Sequence, residues 1–155
     1  MNDLTGNFDR IGHTLGILVL MCFGLAHTAA KVLFDVLQNA EHRIKTGFGV
    51  SKPAYGIAFP PLMGTKQGHP VGPVCWTLIS SIIIAVMKRR GHSVEMQSAL
   101  SHSLISVVCF AFVDDTDLPI AGKARDTTGE ELQVLFQETL DAWAGLVSVT
   151  GGELC

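Results

Sequence analysis

Apolar positions along this chain recur first at helical spacing and later in tight runs, and the change of period predicts the order of elements. Residues 2–9 read as a strand end running into a turn at Gly6 and Asn7. A helix is expected over 10–22, broken at Gly24. A second is expected over 27–42, where Ala29, Val32, Leu33, Val36, Leu37 and Ala40 keep a 3.6 period. Residues 43–50 read as a strand. The Gly/Pro-rich stretch 51–70 reads as a hairpin region with strands around 55–63. Pro73 suits the first turn of a long helix that ends in Lys88-Arg89-Arg90 and stops at Gly91.

LISVVCFAFV (104–113) is apolar at every second and every intervening position, apart from Ser106. That predicts a central strand covered on both faces. DDTD (114–117) then reads as a turn and LPIAG (118–122) as the returning strand. Thr127 and Thr128 each precede a glutamate by three residues, so either can cap a last helix with a capping box. Its apolar stripe is Leu132, Leu135, Phe136, Leu140, Trp143, Leu146 and Val147, and Gly151 or Gly152 ends it. The order predicts one α+β domain over 1–155, a mostly antiparallel sheet with helices packed on one face.

Composition narrows the classes. An apolar fraction of 48% with 16% charged residues excludes a disordered chain. A net charge of −3 gives no basic footprint for nucleic acid. Cys22, Cys75, Cys109 and Cys155 have no metal spacing and read as reduced, mostly core thiols of an intracellular protein. The first residues do not read as a signal peptide. Residues 11–30 and 68–87 are uncharged and long enough to cross a bilayer, but glycine, proline and histidine dilute them, so two buried core helices are expected.

The chemistry concentrates at Asp114 and Asp115. Two carboxylates about 4 Å apart repel by about 4 kcal/mol at an effective dielectric of about 20. A hard divalent cation would offset that, because Mg²⁺ takes carboxylate oxygens together with substrate phosphates. Asp3 and Asp9 are candidates for a third carboxylate from another strand end. QGHPVGP (67–73) opens the long helix, with Gly68 allowing close approach to a flat ligand and Gln67 offering an amide. A solvated Asp-rich turn and an ordinary loop-to-helix junction are the plainer accounts of each stretch taken alone.

Taken together, the stretches resemble the palm domain of reverse transcriptases, particularly the retrotransposon type. FVDD (112–115) resembles the family's aromatic-x-Asp-Asp motif, and QGHPVGP its Gln-Gly-x-Pro-x-x-Pro motif. NDLTGNFDR (2–10) resembles its first catalytic block, with Asp3 followed by Phe8 and Asp9. TGGEL (150–154) resembles the start of the next segment. Val113 and Gly72 are mild departures, standing where the family often has Ala or Met and Ser. The resemblance implies RNA-directed DNA polymerisation, adding deoxynucleotides to a primer 3′-OH on an RNA or DNA template. It implies that Asp3 and Asp114, helped by Asp115 and the Leu4 carbonyl, hold two Mg²⁺ ions, with Mn²⁺ a substitute. It makes Phe8 a steric gate against a 2′-OH, and has Gln67 and Gly68 line the nucleotide and template pocket. It also implies a fragment of a retrotransposon polyprotein, with weak or no activity alone unless a partner chain supplies fingers and thumb.

Two rival readings are a small two-span membrane protein using 11–30 and 71–87, and a non-catalytic palm remnant acting as an interaction module. The membrane reading leaves 104–117 unexplained. The six histidines show no ligand spacing, and Trp76 and Trp143 read as core. The Lys88–Arg90 run reads as a solvated helix end.

Overall fold

The computed structural model describes residues 10–41, 43–52, 64–65, 70–112, 115–122, 124 and 126–152. Among them the elements run α1 (His13–Cys22), α2 (His27–Gln38), β1 (Lys45–Thr46), β2 (Gly49–Val50), α3 (Val71–Arg89), β3 (Val94–Gln97), β4 (Leu104–Val107), β5 (Phe110–Phe112), β6 (Asp115–Asp117) and α4 (Gly129–Val149). The class is α+β, and each described strand pairs antiparallel with its neighbour in sequence.

The helices build the core. α1 packs on α2 and α3, and α3 packs on α4. Gly72, Cys75, Trp76, Ile79, Ile83 and Met87 are buried on α3, recurring every three or four residues down one face. They meet Trp143 and Val147 of α4 and Val19 and Leu20 of α1 in one cluster. Gly16 lets α1 approach α2: a Cβ there would lie 2.3 Å from Cζ of the buried Phe34. Both tryptophans are core residues, as their positions on apolar faces imply.

Helix ends follow the glycines. α1, α3 and α4 close in the same way, with a left-handed glycine at Gly24, Gly91 and Gly151. At α4 the Gly151 N–H donates to the Ser148 carbonyl at 3.0 Å and the Gly152 N–H to Val147 at 3.2 Å, the paired bonds of a Schellman ending. Thr128 supplies the capping box. Its hydroxyl accepts from the Glu131 N–H at 3.3 Å, and the Glu131 carboxylate accepts from the Thr128 N–H at 2.8 Å.

That carboxylate is held below its ordinary value of 4.5, first by the Thr128 N–H and then by the Thr128 hydroxyl. A depressed folded-state value stabilises above the unfolded one and is lost as pH falls through the folded one. Loss of the cap hydroxyl in Thr128→Ala is expected to cost about 1 kcal/mol at neutral pH in urea melts. The gap between wild type and Glu131→Gln should close as the medium is acidified below the ordinary glutamate value.

The structure departs from the sequence pattern in four places. The buried face of α2 is Ala30, Phe34 and Leu37, whereas Ala29, Val32 and Val36 are exposed. The helix carries two apolar edges, and contact with Gly16 and His13 selects the one bearing Phe34. Residues 43–50 form a small exposed hairpin rather than one strand, because Gly49 takes a positive φ of 129° and Thr46 Oγ1 accepts from the Phe48 N–H. The apolar run 104–113 is not one covered strand. It divides at the buried Val108, with β4 pairing to β3 and β5 to β6, and Leu104, Ile105 and Phe110 stay 69%, 50% and 56% exposed. The returning strand is Asp115–Asp117 rather than 118–122. The strands expected at 2–9 and 55–63 lie outside the described residues.

The first uncharged stretch is not a single helix. α1 has 10 residues and ends at Cys22, about 15 Å of rise against a bilayer core of about 30 Å. α3, by length and composition, is long and apolar enough to cross a membrane.

Candidate functional site

The acidic hairpin follows from register. Phe110 pairs with Asp117, Ala111 with Thr116, and Phe112 with Asp115. Residues directly opposite in an antiparallel pair share a face, and residues two apart on one strand share it as well. Asp115 and Asp117 therefore lie on one face, with Phe110 opposite Asp117, and Thr116 lies on the other. Thr116 is 3% exposed, which seats the hairpin against the protein. Asp115 is half-buried and Asp117 exposed. Their Cα atoms are about 6.6 Å apart along the strand. Asp117 was given no role by the motif pattern, and strand alternation is the signal that puts it beside Asp115.

Asp115 is the one member of the expected catalytic set among the described residues. Asp3, Leu4, Phe8, Gln67, Gly68 and Asp114, with the auxiliary candidate Asp9, lie outside them. Among the described residues no group of three or more His, Cys, Asp or Glu side chains is placed to hold a metal ion. Asp115 is a hard oxygen donor, the chemistry that suits Mg²⁺.

A second arrangement joins the neighbours of two expected motif blocks. Arg10 ends the first block and Ile11–His13 follow it, and Gly64–Thr65 precede Gln67 by one intervening lysine. The Gly64 N–H donates to the Ile11 carbonyl at 2.8 Å. His13 Nε2 lies 2.7 Å from the Gly64 carbonyl, and Gln38 Nε2 lies 3.0 Å from His13 Nδ1. A carbonyl can only accept, so the His13 Nε2 donates to Gly64. His13 is 3% exposed and Thr65 fully buried. The ring also packs on Phe34, with centroids 5.1 Å apart. At the same place a Cβ on Gly151 would fall 2.3 Å from the Arg10 carbonyl oxygen, so the end of α4 abuts the backbone there. Sequence reading missed this cluster. The available signal was a histidine set in an otherwise uncharged helix.

The remaining groups are structural. Cys75 is buried and Cys109 half-buried, and burial pushes both thiols up, away from nucleophilic character. Cys22 is exposed, contrary to the expectation of mostly core thiols, because it ends α1 where the chain turns at the surface. Cys155 lies outside the described residues. Lys88, Arg89 and Arg90 are exposed, as a solvated helix end should be. A groove of about 800 Å³ runs beside Thr127, Glu130, Val134 and Glu138. Its carboxylates disfavour a polyphosphate.

No protein-family model matches the chain, and no curated protein matches its sequence.

Proposed function

We propose that the chain is the palm portion of an RNA-directed DNA polymerase of the reverse-transcriptase type. The observation that carries this reading is the position of Asp115. It pairs with Phe112 across antiparallel β5 and β6 and so stands at a hairpin end, while Asp114 lies outside the described residues. A hairpin end supports a shared cation site better than a continuous strand, which sends adjacent side chains to opposite faces. The exposed apolar residues Leu104 and Ile105 on β4 and Phe110 on the acidic hairpin agree with surfaces that normally meet further protein, such as a partner chain carrying fingers and thumb.

In this reading Asp114 and Asp115, with Asp3 and the Leu4 carbonyl, hold two Mg²⁺ ions, which supply Lewis-acid stabilisation of a primer hydroxyl and of a leaving pyrophosphate. Phe8 crowds the sugar 2′ position, and Gln67 and Gly68 line the nucleotide and template pocket. The substrates are deoxynucleoside triphosphates and a primed template.

Primer extension by the purified chain with Mg²⁺ or Mn²⁺ tests this. Weak metal-dependent incorporation is expected, abolished in Asp114→Asn while circular dichroism is unchanged, and Mn²⁺ binding is expected to fall in the same variant. Absence of incorporation at every protein concentration, together with Mn²⁺ binding by electron paramagnetic resonance that ignores Asp114→Asn, would refute it.

A further inference from the structure

We infer that the β1–β2 hairpin with its flanks is a docking site for single-stranded nucleic acid, with phosphates along a face carrying Arg43, Lys45 and Lys52 and a base stacked on Phe48 at the tip. The inference goes beyond the polymerase reading, because it uses neither the acidic hairpin nor a metal. It is built wholly from described residues.

The register gathers the charge on one side. Lys45 pairs with Val50 and Thr46 with Gly49. The Ser51 N–H donates to the Ile44 carbonyl at 2.8 Å, which carries the pairing one step further. Opposite residues share a face, and so do residues two apart on one strand. Arg43, Lys45 and Lys52 therefore fall on the face of Val50, and Ile44 falls on the other. All three cations are exposed, and residues 43–52 contain no Asp or Glu, so the stretch is basic within a chain of net charge −3. Glu41 lies 3.9 Å from the Arg43 guanidinium with both ends exposed, a contact too weak to neutralise the face. Like charges facing one another across strands destabilise the pair. A run of phosphates turns that repulsion into attraction and releases counterions.

The tip supplies the aromatic. Phe48 is fully exposed, and the turn beneath it is braced. The Phe48 N–H donates to Thr46 Oγ1 at 3.2 Å, the Thr46 hydroxyl donates to the Gly49 carbonyl at 3.4 Å, and the Ile44 N–H donates to Ser51 Oγ at 3.0 Å. A ring carried on a braced turn has less freedom to lose on binding. An aromatic beside a basic track is the combination that binds single strands without reading their sequence, by stacking bases and neutralising phosphates. An anionic membrane would meet the same charges, but the shape suits it less well. Interfacial insertion gathers apolar side chains on one surface with cations around them. Here Ile44 lies on the face away from the cations, and Phe48 stands at the tip between Gly47 and Gly49.

The test uses the full chain and the fluorescence anisotropy of a labelled oligothymidylate of about 16 nucleotides, in EDTA and without triphosphates. Binding is expected, and log K should fall with log salt at a slope of about −2, the value for three phosphates on a single strand. Phe48→Ala should weaken binding by about 10-fold with the slope kept, and Phe48→Trp should bind as wild type does. An abasic oligomer, which keeps the phosphates and lacks the bases, should bind wild type about as weakly as the oligothymidylate binds Phe48→Ala. Lys45→Gln should make the slope shallower by about 0.7. Both side chains are exposed, so circular dichroism should be unchanged in every variant. No binding, binding that neither Phe48→Ala nor Lys45→Gln alters, or binding to phosphatidylserine vesicles in place of the oligomer would overturn the inference. Because metal and triphosphates are absent, failure here leaves the polymerase reading standing, and failure of primer extension leaves this site standing.

Discussion

Replacing Trp143 with alanine should destabilise the protein by about 3–5 kcal/mol, the range for truncating a fully buried aromatic. Trp143 is 1% exposed where α4 meets α3, and it is among the largest fully buried side chains. The truncation removes its transfer free energy and leaves a cavity between two helices that cannot close on each other. Against a total stability of about 5–15 kcal/mol, that approaches the whole for a modest domain. Trp143→Phe should behave differently. The indole Nε1 is buried with no hydrogen-bond partner among the described residues, and an orphaned buried donor costs about 1–3 kcal/mol. Phenylalanine loses volume but removes that donor, so the two changes offset and a net loss of about 1 kcal/mol or less is expected. Urea melts followed by the fluorescence of Trp76, the other of the chain's two tryptophans, would measure both. A Phe variant as damaged as the Ala variant would show that the indole nitrogen is not a liability.

How far the sequence reaches can be argued from single elements. Helices were legible because their information is local. Gly24, Gly91 and Gly151 stop three of them where the pattern puts the stops, and Thr128 with Glu131 starts the last. Strands were less legible because pairing is not local. LISVVCFAFV satisfies every compositional rule for a covered strand, yet it breaks at Val108, and its first half joins VEMQ, a segment whose mixed pattern gave no warning. The face of α2 shows the same limit. Both edges of that helix are apolar, and only the approach of Gly16 to Phe34 decides between them. At the candidate site, a reversal after the apolar run was legible, but the turn expected at 114–117 is in fact strand over Asp115–Asp117. Its face-sharing with Asp117 needed the register Phe112 to Asp115. The His13 cluster depends on three segments that only the fold brings together, so neither spacing nor composition could reveal it.

The same convergence makes Gly151 the most sensitive glycine at a helix end. Its φ is 93°, and a Cβ there would lie 2.3 Å from the Arg10 carbonyl oxygen. Gly24 has an almost identical φ of 95° with nothing within 4 Å of the equivalent Cβ. The pair separates backbone strain from crowding. Gly24→Ala carries only the left-handed penalty, about 1–2 kcal/mol. Gly151→Ala carries that and a clash with backbone, which cannot swing aside as a side chain can, adding about 1–3 kcal/mol of overpacking. Gly151→Ala is therefore expected to lose about 2–5 kcal/mol, at least 1 kcal/mol more than Gly24→Ala, in matched urea melts. Relief of the clash would push Arg10 away from α4, and Ile11 and His13 follow Arg10 directly in the chain. Gly64 amide exchange should accordingly quicken in Gly151→Ala and remain at the wild-type rate in Gly24→Ala. Equal losses in the two variants, with Gly64 exchange unmoved in both, would mean that the end of α4 does not bear on the segment that carries His13.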